Sequence, residues 1–184
     1  QVFVWDVGDH HAAQLVQHFA TAFTRFRLVG FSGDGQTVAI GHRDGVVRLW
    51  QTATGVATLS LTGQTGLIFS LALRQDGGLL VTGGREGHLC CWRLPAGELQ
   101  QVIATKAGAI NVLAFSPDGK FLASGHEDLS IRLWTIDAQG QLQLHHTLLG
   151  HAQTIWSVVF GPSPTAQPTP RPANEGSAAR TATR

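Results

Sequence analysis

Residues 109–134, with the sequence AINVLAFSPDGKFLASGHEDLSIRLW, decide the fold. Three runs rich in β-branched and aromatic residues are divided here by two turns, one at residues 116–119 (SPDG) and one at residues 128–129. Short β-rich runs separated by Gly, Pro and Asp are typical of antiparallel strands. The stretch therefore predicts three successive strands, the last of which ends at Trp134.

The same arrangement recurs along the chain at the spacing of a structural repeat. A tryptophan closes a β-rich run at four places, with separations of 45, 42 and 42 residues: Trp5, Trp50, Trp92 and Trp134. Turns that contain glycine divide the runs before three of these tryptophans, at residues 33–35, 76–78 and 116–119. In each unit a fourth, more polar run follows the tryptophan. Four short strands repeated about every 40 residues predict the blades of a β-propeller.

These residues resemble the WD-repeat β-propeller family over residues 1–160. The pair Gly150-His151 is similar to the Gly-His that opens a further WD unit. The resemblance implies an all-β fold with three full four-stranded blades and partial blades at both ends, as an open arc or a fragment of a longer array. The expected boundaries are a partial blade at 1–20, blades at 21–62, 63–104 and 105–149, the start of a further blade at 150–161, and a disordered Pro-rich tail at 162–184.

The composition argues against several classes of protein. The chain has 184 residues and is 43% hydrophobic, which suffices for a core, and its formal net charge of +1 argues against capture of nucleic acid or a membrane by charge. No apolar run reaches the roughly 18 residues of a membrane span. Cys90 and Cys91 are adjacent, and the His pairs at 10–11 and 145–146 diverge on a strand, so no metal-ligand spacing is present. We expect a soluble, cytoplasmic protein with no cofactor and no metal.

The resemblance also implies a buried hydrogen-bonded relay in each blade. In the family, four residues form this relay: a His before the first strand, a Ser or Thr on the second strand, an Asp in the following turn and the Trp on the third strand. The corresponding positions are Ile40, Asp44 and Trp50; Thr82, Glu86 and Trp92; Ser124, Asp128 and Trp134; and His151 in the next unit. Ala22, Gln64 and Lys106 occupy the His positions of the full units, so we expect no complete relay. An unpaired buried group would weaken a blade by about 1–3 kcal/mol.

Ser124, His126 and Asp128 are also the residue types of a hydrolase triad. A triad needs the His between the other two in space and an oxyanion hole nearby. The turn before Asp128 breaks the shared strand face, and the chain has neither a G-x-S-x-G elbow nor a phosphate-binding P-loop. We therefore interpret these residues as structural. His42 and His126 hold equivalent positions just after the second strand, which indicates a shared structural location.

The family resemblance implies a partner-binding face as well. Side chains at the start of the first strands and just before the turn acid collect on one rim face, which usually holds peptides in this family. The candidates are Arg25, Arg27, Arg43, Leu67, Phe69, Arg85, Asn111, Glu127 and Trp156. The aromatic residues are candidate anchors, and the arginines suit acidic or phosphorylated groups. Any one of these side chains could instead pack between blades or be solvated.

The repeat pattern stops after Phe160. Residues 155–160 predict the first strand of a further blade, whereas residues 161–184 contain five of the seven prolines and no β-rich alternation. The predicted strand then has a hydrophobic open edge. We expect such open blade edges to favour self-association.

Without a motif for catalysis, the sequence predicts a non-enzymatic scaffold for protein–protein interaction, which binds a peptide or protein partner on the rim face. Neither nucleic acid nor a membrane is an expected partner. The alternative is a regulatory or sensory propeller segment of a larger signalling enzyme, whose kinase or nucleotidase domain lies outside this chain. The coding sequence on either side would distinguish the two.

Overall fold

The computed structural model describes residues 2–8, 13–19, 26–42 and 44–161, the side chains of residues 19, 26 and 27 excepted. Within these ranges the chain forms fourteen β-strands and no helix. None of these residues therefore belongs to a helix that is long and apolar enough to cross a membrane. The prediction of an all-β fold built from four-stranded blades is confirmed.

The strands form one two-stranded and three four-stranded antiparallel sheets, and strands that follow each other in sequence pair within each sheet. The partial blade consists of β1 (Val2–Asp6) and β2 (Gln14–Phe19). The first blade consists of β3 (Phe26–Phe31), β4 (Thr37–His42), β5 (Val47–Gln51) and β6 (Ala57–Leu61). The second consists of β7 (Ile68–Leu73), β8 (Leu79–Gly84), β9 (His88–Arg93) and β10 (Glu98–Ala104). The third consists of β11 (Ile110–Phe115), β12 (Phe121–His126), β13 (Ile131–Ile136) and β14 (Leu142–Leu148).

The turn between the first and second strands of a blade is fixed by an aspartate and a glycine. In the third blade, Asp118 Oδ1 accepts hydrogen bonds from Ser116 Oγ at 2.6 Å and from Lys120 N at 3.1 Å. Gly119 has φ 68°, a left-handed conformation that glycine adopts without a steric penalty. Asp34 makes the same two kinds of bond in the first blade. The repeated turn motif therefore sets the hairpin in each of these blades.

The core lies between the blades, because each blade packs its tryptophan against the blade before it. Trp92 is buried in a cluster with Ala39, Val47 and Leu49 of the first blade. Trp134 is buried in a cluster with Leu79, Val81 and other residues of the second blade. Trp50 packs in the same way against Val2 and Val4 of the partial blade. The repeat spacing of the tryptophans is thus the spacing of the interfaces between blades.

The first strands of the blades lie side by side, since β3 contacts β7 and β7 contacts β11. This places the start of each first strand on a common face of the arc. Residues 155–160, in contrast, form no strand. The predicted strand is not formed because residues 151–161 have no neighbouring strand with which to share a ladder within the described chain. The predicted disordered tail at 162–184 lies outside the described residues.

Candidate functional site

A β-bulge occurs at the same position in the first strand of every full blade. The register against the second strand shifts between Phe26 and Leu28, between Ile68 and Ser70, and between Ile110 and Val112. The extra residues are Arg27, Phe69 and Asn111, three of the partner-binding candidates. A bulge leaves its extra residue outside the ladder, increases the local twist and re-aims a side chain. Because the first strands are neighbours, the bulges form a row along one face of the arc.

The residue just before the turn acid lies beside the start of the first strand, as the resemblance implied. Arg85 N donates to Leu67 O at 3.0 Å in the second blade, and Glu127 N donates to Ala109 O at 2.9 Å in the third. Leu67 and Phe69 are half-buried and Arg85 is exposed. The structure therefore brings Leu67, Phe69 and Arg85 together in one blade.

Two charged candidates on this face differ in what they bind. Glu127 Oε2 accepts a hydrogen bond from Ala109 N at 3.0 Å, so its carboxylate holds the loop that leads into β11. Arg85 forms no salt bridge with any other described residue. Its side chain is exposed, and a guanidinium carries donors arranged to bind a carboxylate or phosphate. The positions Arg25 and Arg43 lie outside the described residues, as does the side chain of Arg27.

Trp156 continues the row of bulged residues although its segment is not a strand. Ile155, only 6% exposed, packs against the third blade, where a Cβ added to Gly125 would lie 2.9 Å from Ile155 Cγ2. Ile110 packs against Gly83 in the same way, at 2.6 Å. Trp156 is therefore the counterpart of Asn111, and 76% of it is exposed. We call the set Arg27, Phe69, Asn111 and Trp156 the rim row.

A hydrogen-bonded relay lies inside the third blade. Trp134 Nε1 donates to Ser124 Oγ at 2.8 Å, and a second hydrogen bond of 2.7 Å joins Ser124 Oγ to His126 Nε2. The imidazole comes from the end of β12, and not from the position before the first strand, where Lys106 stands. His151, expected to serve the next unit, is exposed. The signal for His126 was its spacing of two residues from Ser124, which puts both side chains on one face of a strand.

The environment of His126 keeps its imidazole neutral. Burial, together with the charge of Arg132, lowers the pKa of His126 from 6.5 to about 4, against the opposing effect of Asp128. Its Nδ1 is buried and has no hydrogen-bond partner among the described residues. The carboxylate of Asp128 bonds within its own turn. Its Oδ1 accepts hydrogen bonds from Ser130 N at 3.0 Å and from Ser130 Oγ at 2.5 Å. Burial acts to raise the pKa of Asp128, but these bonds and the charges of His126 and Arg132 outweigh it and lower the pKa.

The other blades hold shorter versions of the relay. In the second blade, Trp92 Nε1 donates to Thr82 Oγ1 at 3.2 Å, and Gly84 stands where the third blade has His126. Glu86 is exposed. In the first blade, Ile40 offers no hydroxyl group to Trp50, and Asp44 pairs with Arg48 at 3.4 Å. His42 ends β4 as His126 ends β12, and burial lowers the pKa of its imidazole as well.

The residue types of a hydrolase triad do not form an accessible site here. Ser124 and His126 are both 0% exposed, so no substrate reaches the hydroxyl group in this structure. Asp128 bonds to Ser130 and not to the imidazole. Among the described residues, no three His, Cys, Asp or Glu side chains are grouped as metal ligands would be. The geometry thus gives Ser124 and His126 a hydrogen-bonding role inside the blade and Asp128 a role in its own turn.

A groove of about 490 Å³ opens at the other ends of the first strands and was not predicted. It is lined by the turns at 74–76 and 117–120 and by residues 136–138, from the second and third blades. Asp76 and Asp137 accept hydrogen bonds from backbone N–H groups of their own turns, as does Asp118. These carboxylates therefore serve turn formation. The repeated Asp-Gly turns were visible in the sequence, but their meeting across two blades was not.

Comparison with known families agrees with this architecture. The family model for the WD domain, G-beta repeat matches residues 13–51, 55–93 and 97–135, which together span more than half of the chain. Each match begins one or two residues before an outer strand, which is β2, β6 or β10, and ends one residue after the next blade tryptophan. Each sequence repeat therefore joins the outer strand of one blade to the first three strands of the next. A search of curated proteins gave no match. On the three matched repeats and the blades that they form, the chain belongs to the WD-repeat family.

Proposed function

We propose that this chain is a non-enzymatic scaffold that docks a peptide or protein partner on the face that carries the rim row. WD repeats indicate a protein-interaction kind of fold. The observation that carries the more specific proposal is the alignment of Trp156, 76% exposed, with the bulged residues of the three full blades. A large exposed aromatic side chain beside re-aimed strand residues is a surface that a partner can desolvate.

The chemistry of this face favours an extended segment with an apolar anchor and an acidic or phosphorylated group. Trp156 supplies an apolar surface on which the anchor can pack. Leu67 and Phe69, both half-buried, lie on the second blade. Arg85 supplies a bidentate donor to a carboxylate or phosphate. Aromatic residues and arginine together are the side chains that most often dominate interface energies.

Other partner classes are less compatible with the chain. A net charge of +1 gives little attraction for nucleic acid or an anionic membrane. Docking of a peptide on side chains and strand edges needs no cofactor. We further propose that the chain acts in the cytoplasm, where its two free, buried cysteines stay reduced.

The test begins with selection of binding peptides from a displayed random library against the full chain. The dissociation constant of a selected synthetic peptide is then measured by isothermal titration for the wild type and for Trp156→Ala. We expect Trp156→Ala to weaken binding by about 30-fold, the effect of losing a central aromatic anchor. Arg85→Ala should weaken it less, and most for phosphorylated peptides.

Trp5→Ala is the matched control, because Trp5 is 55% exposed on β1 and lies outside the rim row. Binding should be unchanged in this variant. Equal loss in Trp5→Ala and Trp156→Ala, or no loss in either, would contradict the proposal. Circular dichroism of each variant shows that the β-structure is retained.

A further inference from the structure

A backbone edge near the rim row suggests a second mode of binding. Residues 154–161 run without a turn or bend and make no backbone hydrogen bond within the described chain. Ile155 nevertheless fixes the segment against Gly125 of β12, as Ile110 fixes β11 against Gly83 of β8. The segment therefore lies where the first strand of a blade belongs.

The repeat indicates which N–H groups of this segment face a neighbouring strand. In the third blade, Ser116 N donates to Phe121 O at 2.9 Å, and Ala114 pairs with Ala123 two residues further along the ladder. In an antiparallel ladder, hydrogen-bonded pairs recur at every second residue. Since Phe160 is the counterpart of Phe115, Val159 is the counterpart of Ala114. The N–H groups of Ser157 and Val159 are thus the ones directed to a second strand.

The side chains around this edge are suited to a strand and not to a charged ligand. Trp156 and Val159 are 76% and 83% exposed. No charged residue occurs between Gln153 and Gly161. An uncharged edge with exposed apolar side chains is a template for strand addition.

The chemistry of the occupant follows from what fills this place in the other blades. The second strands β4, β8 and β12 are buried at nearly every residue. Their sequences, TVAIGH, LLVTGG and FLASGH, are uncharged and combine branched or aromatic residues with small ones. The chain's own next residues are poor occupants, because five prolines between Pro162 and Pro172 lack the N–H groups that a second strand donates.

We propose that residues 154–161 bind an uncharged β-strand from a partner protein, which adds to this edge as the second strand of a blade. The partner strand is six or so residues of branched and small side chains, by the pattern of β4, β8 and β12. The proposal goes beyond docking on the rim row, because its hydrogen bonds come from the backbone of Ser157 and Val159 and do not require Arg85 or Phe69.

The probe is a synthetic peptide with the sequence of residues 120–128, KFLASGHED, which contains the β12 pattern and has charged ends for solubility. Amide hydrogen exchange of the full chain is measured by NMR with and without the peptide. We expect exchange at Ser157 and Val159 to slow by about tenfold or more on saturation, as amides enter a ladder. The same peptide with proline in place of its central alanine should give no slowing.

Two chain variants make the test specific to the backbone. Val159→Pro removes the N–H group and should abolish the slowing at Ser157, whereas Val159→Ala keeps the N–H and should retain it. Because Val159 is exposed and forms no hydrogen bond in the described chain, neither variant should unfold the protein. Exchange that is unaffected by the peptide, or slowed equally in Val159→Pro, would overturn the proposal.

Slowing that rises with protein concentration in the absence of peptide would assign the edge to a second copy and would also overturn it. This result is distinguishable from failure of the rim-row function. Trp156→Ala tests the rim row through the library-selected peptides, and Val159→Pro tests the strand edge through KFLASGHED.

Discussion

The second and third blades place a tryptophan in the same position but hold it by different numbers of polar groups. In the third blade, Trp134, Ser124 and His126 form two consecutive hydrogen bonds. In the second blade, only Thr82 meets Trp92. Both tryptophans are nevertheless buried in the apolar cluster shared with the preceding blade. The comparison teaches that packing between blades fixes the tryptophan and that the relay adds to it.

The second blade has the shorter relay because the backbone of Leu67 lies close to Gly84. A Cβ added to Gly84 would lie 2.0 Å from the carbonyl oxygen of Leu67, so no side chain fits at that position. The third blade accommodates His126 at the equivalent place. Blade geometry, and not the choice of hydroxyl residue alone, therefore limits how far a relay extends.

The largest effect is expected from placing the longer relay in the second blade. Gly84→His should destabilise the protein by about 4 kcal/mol, because the new side chain meets the Leu67 backbone and forces it to move. Urea unfolding followed by tryptophan fluorescence measures the change. Gly161→His is the control, since nothing lies within 4 Å of a Cβ added there. A Gly84→His protein as stable as the control would show that the second blade can hold a full relay.

The next largest effect is on the pH dependence of stability, to which the buried imidazole of His126 in the third blade contributes. The pKa of His126 is lowered by burial to about 4, so an unfolded chain with a pKa near 6.5 binds the proton first. Stability from this group is complete above pH 6.5 and is lost as the pH falls toward 4, by about 2–3 kcal/mol. Urea unfolding between pH 7.5 and 4.5 should show a loss that is smaller by this amount in His126→Gln. The same pH dependence in both proteins would contradict the account.

Removing the hydroxyl groups should produce a smaller, graded effect. Ser124→Ala leaves both the Trp134 N–H and the His126 ring without a partner, and we expect a loss of about 2 kcal/mol. Thr82→Val leaves only the Trp92 N–H unpaired and should cost about 1 kcal/mol. The free energies of unfolding of the two variants give the comparison directly. Equal losses would mean that His126 adds nothing to the relay.

The smallest expected effect is in the chemical labelling of the two thiols of the second blade, Cys90 and Cys91, which reports how well the blade is packed. Burial raises the pKa of Cys90 to about 11 and that of Cys91 to about 12. At pH 8 few thiolates form, so iodoacetamide should label neither cysteine faster than the blade opens. Mass spectrometry of timed samples, with a sample unfolded in urea as the reference, measures the labelling. Labelling of the native chain at the rate of the unfolded one would contradict the packing of Cys90 against the first blade, or of Cys91 against the third.

The sequence predicted the blades because a tryptophan, a turn acid and a Gly-containing turn recur in register. It placed His42 and His126 just after the second strands, whereas β4 and β12 include these residues. That difference hid the relay role of His126, which was placed after the strand. A local sequence pattern shows where a strand begins, but how far the strand extends depends on the strands that pair with it.

The geometry of the face that carries the rim row was predictable only in part. The family resemblance placed Leu67, Phe69 and Arg85 on one face, and the structure has all three in the second blade. The bulges at Phe69 and Asn111 depend on strand register, which the sequence does not specify. The expected strand at 155–160 failed for a related reason, since a strand needs a partner. The groove between the turns at 74–76 and 117–120 arises from two blades meeting, and no single repeat contains it.

The most direct test of the central claim is an NMR titration of the full chain with a library-selected peptide, recording which backbone amides shift. The account predicts that the shifts concentrate at residues 67–69, 85, 109–111, 127 and 156, on the face of the rim row. Shifts confined to residues 74–76, 117–120 and 136–138, in the groove at the other ends of the strands, would contradict it.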